Sequence, residues 1–273
     1  MCKQFTLLVV LLAAVLHTLP GQQQLPAGRN YYNDEKKGIV YNEELTFDFK
    51  LLTPRSIALG VNFGDLQTYY RTRFYNLEIG NLRHSQEFRQ SFDIQFPGSN
   101  IASNPFVFGK QNQFYVLRGG LGFKRYLSEK AVRRGVAVGY SYSGGPALGF
   151  LKPYYLNLIY FSDQGTNRVV IRPERYTEDN ARTFLDIYTV YGAASWLRGL
   201  GEIRLLPGIQ AKAALHFDWG AFEETVKAVE AGIAVDFFFR EVPIMVESST
   251  TRGVENSAAF INFYINLQLG KRR

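Results

Sequence analysis

The chain has 273 residues, 31 of them basic and 24 acidic, for a formal net charge of +7; aromatic residues make up 15% and glycine numbers 25. Its one cysteine is Cys2, so everything after it must do without a disulfide, a thiol nucleophile or a thiolate metal site. A basic chain admits nucleic acid as a partner, but Lys36-Lys37, Arg133-Arg134 and Lys271-Arg272-Arg273 are scattered at segment ends. They read as solvated loop ends or as contacts to membrane phosphates, and no nucleic-acid partner is expected.

In chain order the first feature is Lys3 followed by the apolar run Phe5–Leu16 and then HTLPGQQQ. A charged start, a short apolar run and a small residue, Gly21, read as a cleavable secretory signal peptide over 1–21. The run is about twelve residues, short of the roughly 20 a spanning helix needs. The polar stretch 22–42 reads as a periplasmic N-terminal segment, and 43–273 as a single β-barrel domain. No later apolar run is long enough for a helical span, so a membrane crossing would have to use strands.

Period-2 alternation marks strands. Leu45, Phe47, Phe49 and Leu51 alternate with Glu44, Thr46, Asp48 and Lys50, and Ile57, Leu59, Val61 and Phe63 with small or polar residues. Tyr115, Leu117, Leu121 and Phe123 oppose Arg118, Gly120, Gly122 and Lys124; Val136, Val138, Tyr140 and Tyr142 oppose Ala137, Gly139, Ser141 and Ser143. The stretches 209–219, 226–239 and 261–269 alternate without a break. Weaker candidates are 69–80, 88–95, 147–161, 185–191 and 197–205. Turn signals separate them, including Thr53-Pro54-Arg55 and Leu206-Pro207-Gly208.

One apolar face per strand fits a soluble sandwich or a membrane barrel. Three features favour the barrel. The longest strands exceed the usual five or six residues and match the roughly 9–11 of a membrane strand. Their polar faces are rich in Gly, Ala and Ser, as a narrow lumen requires. Tyr69-Tyr70, Tyr154-Tyr155, Trp219 and Phe237–Phe239 lie near strand ends, where interfacial aromatic girdles sit. The expected fold is all-β: an antiparallel up-and-down transmembrane β-barrel of about 12 strands, roughly 10–14. A secreted soluble β-sandwich is the alternative fold.

The stretches GKQNQFYVLRGGLGFKRYLSEKA, GVAVGYSYSGGPALGFLKPYYLNLIY and LPGIQAKAALHFDWG, with the closing strand INFYINLQLG, resemble uncharacterised porin-like outer-membrane β-barrel proteins of Bacteroidota. The resemblance implies an outer-membrane location, contact with outer-membrane lipid and insertion by the barrel-assembly machinery. It implies no established activity. The usual assembly signal ends in an aromatic residue, whereas this chain runs past Leu269 into Gly-Lys-Arg-Arg.

Under this face assignment Asp48, Lys50, Arg118, Lys124, Glu202, Arg204, Lys212, His216, Glu230 and Asp236 are lumen-facing candidates. Leu117, Leu121, Leu215, Phe217, Ile233, Val235, Phe263, Ile265 and Leu267 are lipid-facing candidates. Acids and bases nearly balance in the first group, which favours a salt-bridged interior over a one-sign selective pore. A lumen change such as Gln210→Arg is expected to cost less than an arginine on the outer face. His84 and Ser85 are adjacent, so a strand would point them apart and deny them a dyad. His216 and Asp218 share a face but have no evident nucleophile. GGLG and YSGGP lack the GK[ST] and helix of a phosphate loop. No catalytic residue, metal or cofactor is expected. The preferred function is a non-enzymatic small-solute channel or transport-related barrel; the alternatives are a scaffold barrel partnering an envelope protein of an assembly or secretion machine, and a barrel enzyme acting on lipid.

Overall fold

The computed structural model describes residues 42–68, 70–91, 104–127, 135–161, 169–221, 223–251 and 253–273. The expected signal peptide, and all of the N-terminal segment except Asn42, lie outside the described residues. The first three strands are β1 (Glu43–Leu52), β2 (Ser56–Thr68) and β3 (Arg71–Leu82); β4 (Arg89–Gln90) and β5 (Phe106–Val107) are short. Then come β6 (Asn112–Tyr126), β7 (Ala137–Pro153), β8 (Tyr155–Phe161), β9 (Val169–Arg175), the helical turn α1 (Ala181–Phe184) and β10 (Val190–Ala193). The chain ends on β11 (Arg204–Asp218), β12 (Thr225–Val242) and β13 (Ser257–Arg272).

The fold is all-β, and its main sheet is a closed antiparallel barrel in the order β1-β13-β12-β11-β7-β6-β3-β2. Every barrel strand neighbours the next barrel strand along the chain, so the path is an up-and-down meander. The barrel closes with eight strands, fewer than the sequence suggests. The seven cleanly alternating stretches and 69–80 supply all of them. The other weak candidates fall elsewhere. The stretch 147–161 is the end of β7 running into β8, and 185–191 reaches only the start of β10. Residues 197–205 form mostly turns and a short 3-10 helix; of 88–95, residues 92–95 lie outside the described residues and Arg89–Gln90 form β4. Length inflated the count: several strands run well past the stretch that alternates, and short apolar runs in the insertions look like strands without belonging to the barrel.

Alternation puts polar side chains inside the barrel and apolar ones on its outer face. Along β1, Glu44, Thr46, Asp48 and Lys50 are buried, while Leu45, Phe47, Phe49 and Leu51 are exposed. The same inversion holds on β13, where Asn262, Tyr264, Asn266 and Gln268 are buried and Ile261 through Leu269 at alternate positions are exposed. The basic ending is not a tail: β13 continues to Arg272, which turns inward and is buried.

The two ends differ. One carries the starts of β1, β3, β7 and β12 and the ends of β2, β6, β11 and β13. The other carries the turn 53–55 and the described parts of three long insertions, 83–111, 154–203 and 243–256. The insertions build a cap. β10-β8-β9 form a three-stranded sheet and β4-β5 a small hairpin. Phe106, Tyr154, Leu156, Leu158, Phe184 and Val190 pack together there, so hairpin, sheet and α1 share one core.

Candidate functional site: a charge-packed barrel interior

An eight-stranded barrel leaves an interior just wide enough for side chains to fill. At the cap end the filling is apolar. Leu82, Phe114, Val116, Leu151 and Phe238 point inward from the strand ends, and Ile244, Met245 and Val254 of the last insertion pack onto them. The rings of Phe114 and Phe238 meet edge to face at 4.9 Å. Backbone bonds hold that insertion: the N–H groups of Gln111 and Asn112 donate to the Ile244 carbonyl at 2.9 and 3.1 Å.

Below this plug lies an ion network. Glu78 accepts from Lys50 Nζ at 2.6 Å, Lys212 Nζ at 2.7 Å and Arg118 Nη1 at 2.9 Å. Arg118 also donates from Nε and Nη2 to the two oxygens of Asp236, at 2.7 and 2.9 Å. This is the bidentate fork that makes Arg–carboxylate pairs strong. Asp48 lies 3.2 Å from Lys50 and accepts from Asn62 at 2.8 Å. The network joins β1, β3, β6, β11 and β12 across the lumen. Glycines make the room: a Cβ on Gly120 would meet Asn76 Oδ1 at 2.7 Å and Gln210 Nε2 at 2.8 Å. A cavity of about 20 Å³ beside Asp48, Lys50 and Lys212 is the size of a single water, not of a solute path.

A second cluster closes the end opposite the cap. Arg272 donates to Glu44 Oε2 at 2.9 Å and to Asp218 Oδ2 at 2.5 Å. Lys124 donates to Glu44 Oε1 at 2.5 Å, and the Tyr126 hydroxyl to Asp218 at 2.8 Å. His216 Nδ1 pairs with Glu230 Oε1 at 3.0 Å, which also accepts from Ser141 Oγ. Together Glu44, Asp48, Glu78, Asp218, Glu230 and Asp236 face Lys50, Arg118, Lys124, Lys212 and Arg272. A proton on His216 would complete the balance.

The structure brings Asp48, Lys50, Arg118, Lys124, Lys212, His216, Glu230 and Asp236 together inside the barrel. It does not bring Glu202 or Arg204 there. Glu202 sits in the short 3-10 helix before β11, exposed, where it bonds Tyr155 and Arg175 in the cap. Arg204 has inward parity but starts its strand above the closed part of the barrel and is exposed. The lumen candidates leave out Glu44 and Asp218, although both fall on polar strand faces, and sequence reading missed Glu78 and Arg272. Glu44 and Asp218 each share parity with a residue singled out on the same strand. Arg272 shares parity with Gln268, and only the belief that β13 stopped at Leu269 hid it. Glu78 lies on a strand whose alternation is weak, with half-buried Phe74 on the inner side.

The nine apolar candidates, Leu117, Leu121, Leu215, Phe217, Ile233, Val235, Phe263, Ile265 and Leu267, all lie on the outer face; Leu117 and Phe217 are half-buried there and the rest exposed. His84 lies outside the barrel: its Nε2 bonds the Glu255 carbonyl and its Nδ1 accepts from Gln86 N–H. His216 Nε2 and Asp218 stand 3.9 Å apart, both fully buried, with no serine hydroxyl bonded to the imidazole among the described residues. No protein-family model matches the chain, and a search of curated proteins finds no match to it.

Proposed function

We propose that this chain is a non-enzymatic outer-membrane β-barrel with a closed interior, a structural barrel that holds its cap at the cell surface for a partner. The observation that supports a membrane setting is the charge inversion. Charged side chains are packed inside, while the outward positions from Val229 to Phe239 on β12 and from Ile261 to Leu269 on β13 carry no charge. Lys227 and Glu241 bracket this stretch on β12, and Lys271 bounds it on β13. Ten residue steps span about 33 Å along a strand, or about 25 Å along the axis at a tilt of about 40°. That is the height of the apolar band of an outer-membrane barrel. Outer-membrane lipid is the partner of the belt, and the barrel-assembly machinery is the partner during insertion.

The cap end suits the extracellular side, because such barrels keep short turns in the periplasm and long loops outside. The dense packing of the described lumen side chains supports the scaffold reading over the solute channel. Electrophoresis of the detergent-extracted chain, heated and unheated, tests the membrane barrel. A faster unheated band supports it, and release with the soluble periplasm together with an unshifted band would sink it. Planar-bilayer recording then tests the scaffold: a flat trace is expected, and stepwise conductance would restore the channel.

A further inference from the structure

Beside the barrel interior, the seam between the cap and the outer wall encloses a cavity of about 440 Å³, within the range of small-molecule sites. Its charged lining is Arg55, Arg83, Arg89, Lys110 and one carboxylate, Glu87. That carboxylate is already neutralised: Lys110 Nζ donates to Glu87 Oε2 at 2.5 Å and His84 N–H donates to its other oxygen at 3.0 Å. Burial pushes the Lys110 ammonium below its ordinary range against the pull of Glu87, and pushes the Tyr154 phenol up to about 12. Lys110 and Glu87 cancel as a pair, which leaves the cavity the positive charge of three exposed guanidiniums, none of which has an ion-pair partner among the described residues. Arg55 occupies a left-handed backbone position (φ 58°), where glycine or asparagine would be the relaxed choice. Its guanidinium lies over the Phe88 ring at 5.8 Å.

The facing wall is aromatic. Trp196 Nε1 donates to the Tyr115 hydroxyl at 3.0 Å, which pins the cap segment to β6. The position is decisive. Asn81 and Tyr115 are cross-strand partners that point outward, and the next outward residues toward the opposite end are Ile79 and Leu117. The cavity thus sits directly above the apolar belt.

We propose that this cavity binds the phosphate-bearing headgroup of a lipid, with the acyl chains lying on the belt at Ile57, Ile79 and Leu117. Guanidinium forks match phosphate oxygens in geometry and charge, and three of them suit a dianionic phosphomonoester. The acyl contact rests on the membrane reading above; the phosphate contact does not.

The full chain in detergent is titrated calorimetrically with dihexanoylphosphatidic acid and, separately, with glycerol 3-phosphate. Saturable binding of the lipid is expected, at least tenfold tighter than that of glycerol 3-phosphate. It should weaken tenfold or more in Arg83→Gln/Arg89→Gln and stay unchanged in Arg125→Gln, an exposed arginine at the opposite end. Equal affinity for the two probes would overturn the lipid assignment in favour of a soluble phosphate. Binding unmoved by the double variant, or no binding of either probe, would overturn the site. The heat shift of the same sample shows that each variant is folded. It also separates failure of the site from failure of the membrane reading.

Discussion

Glu78 accepts from three cations, so its loss leaves more than one bond unmade. Removing one partner of a buried ion pair typically costs about 3–5 kcal/mol, because charge is left without compensation. Glu78→Gln is expected to fall in that range in urea unfolding from detergent micelles. Asp65→Asn, which breaks an exposed pair with Arg73, is expected to cost at most about 1 kcal/mol. On the outer face, Ile265→Arg should cost roughly 2–4 kcal/mol if the residue lies near the membrane midplane. Gln210→Arg, which looks mild for an open lumen, is expected to be at least as costly. Gln210 is buried against Gly119 and Gly120, and a longer cation there has neither room nor a free carboxylate. The sequence made the inward direction of Asp48 or Lys212 plain, since parity alone sets it. It did not make the pairing plain. Which acid meets which base depends on barrel size and stagger, and Arg118 reaches Asp236 only across a lumen as narrow as eight strands make it.

Seven of the eight barrel strands were legible because each places apolar residues at every second position over a long part of its length; β3 alternates weakly because Arg71 and Arg73 hold outward positions. The cap strands were not. β8 places Leu156 and Leu158 in the cap core with Ile159 also buried between neighbours, which erases the alternation, and β4 and β5 are too short to show any. The cap core nevertheless stands apart from the barrel filling. Phe184→Ala removes a fully buried ring and should cost about 3–5 kcal/mol, felt in the cap first. Limited proteolysis is expected to cut the insertion 154–203 faster in this variant, while the unheated band keeps its barrel mobility. Loss of both together would mean that cap and barrel unfold as one unit.

For the molecule as a whole, the orientation is open to a direct check. Tyr188 is the most exposed large hydrophobic side chain described, at 87%, in a turn of the long insertion. A cysteine at this position is expected to react with a membrane-impermeant maleimide on intact cells, and one at Arg125 is not; the reverse pattern would place the cap inside. The ion network also bears on how the barrel finds its strand pairing. Apolar-out, polar-in alternation has a period of two, so a strand slipped by two residues still puts apolar groups on the outer face and polar groups in the lumen. Alternation alone cannot tell the correct pairing from that error. Arg272 faces Glu44 across the β13–β1 seam, and Arg118 has its fork on Asp236. A two-residue slip would carry one member of each such pair past its partner and bury both unmatched. The interior charges therefore act as a key with teeth at fixed heights, rejecting the near-miss closures that hydrophobicity would accept.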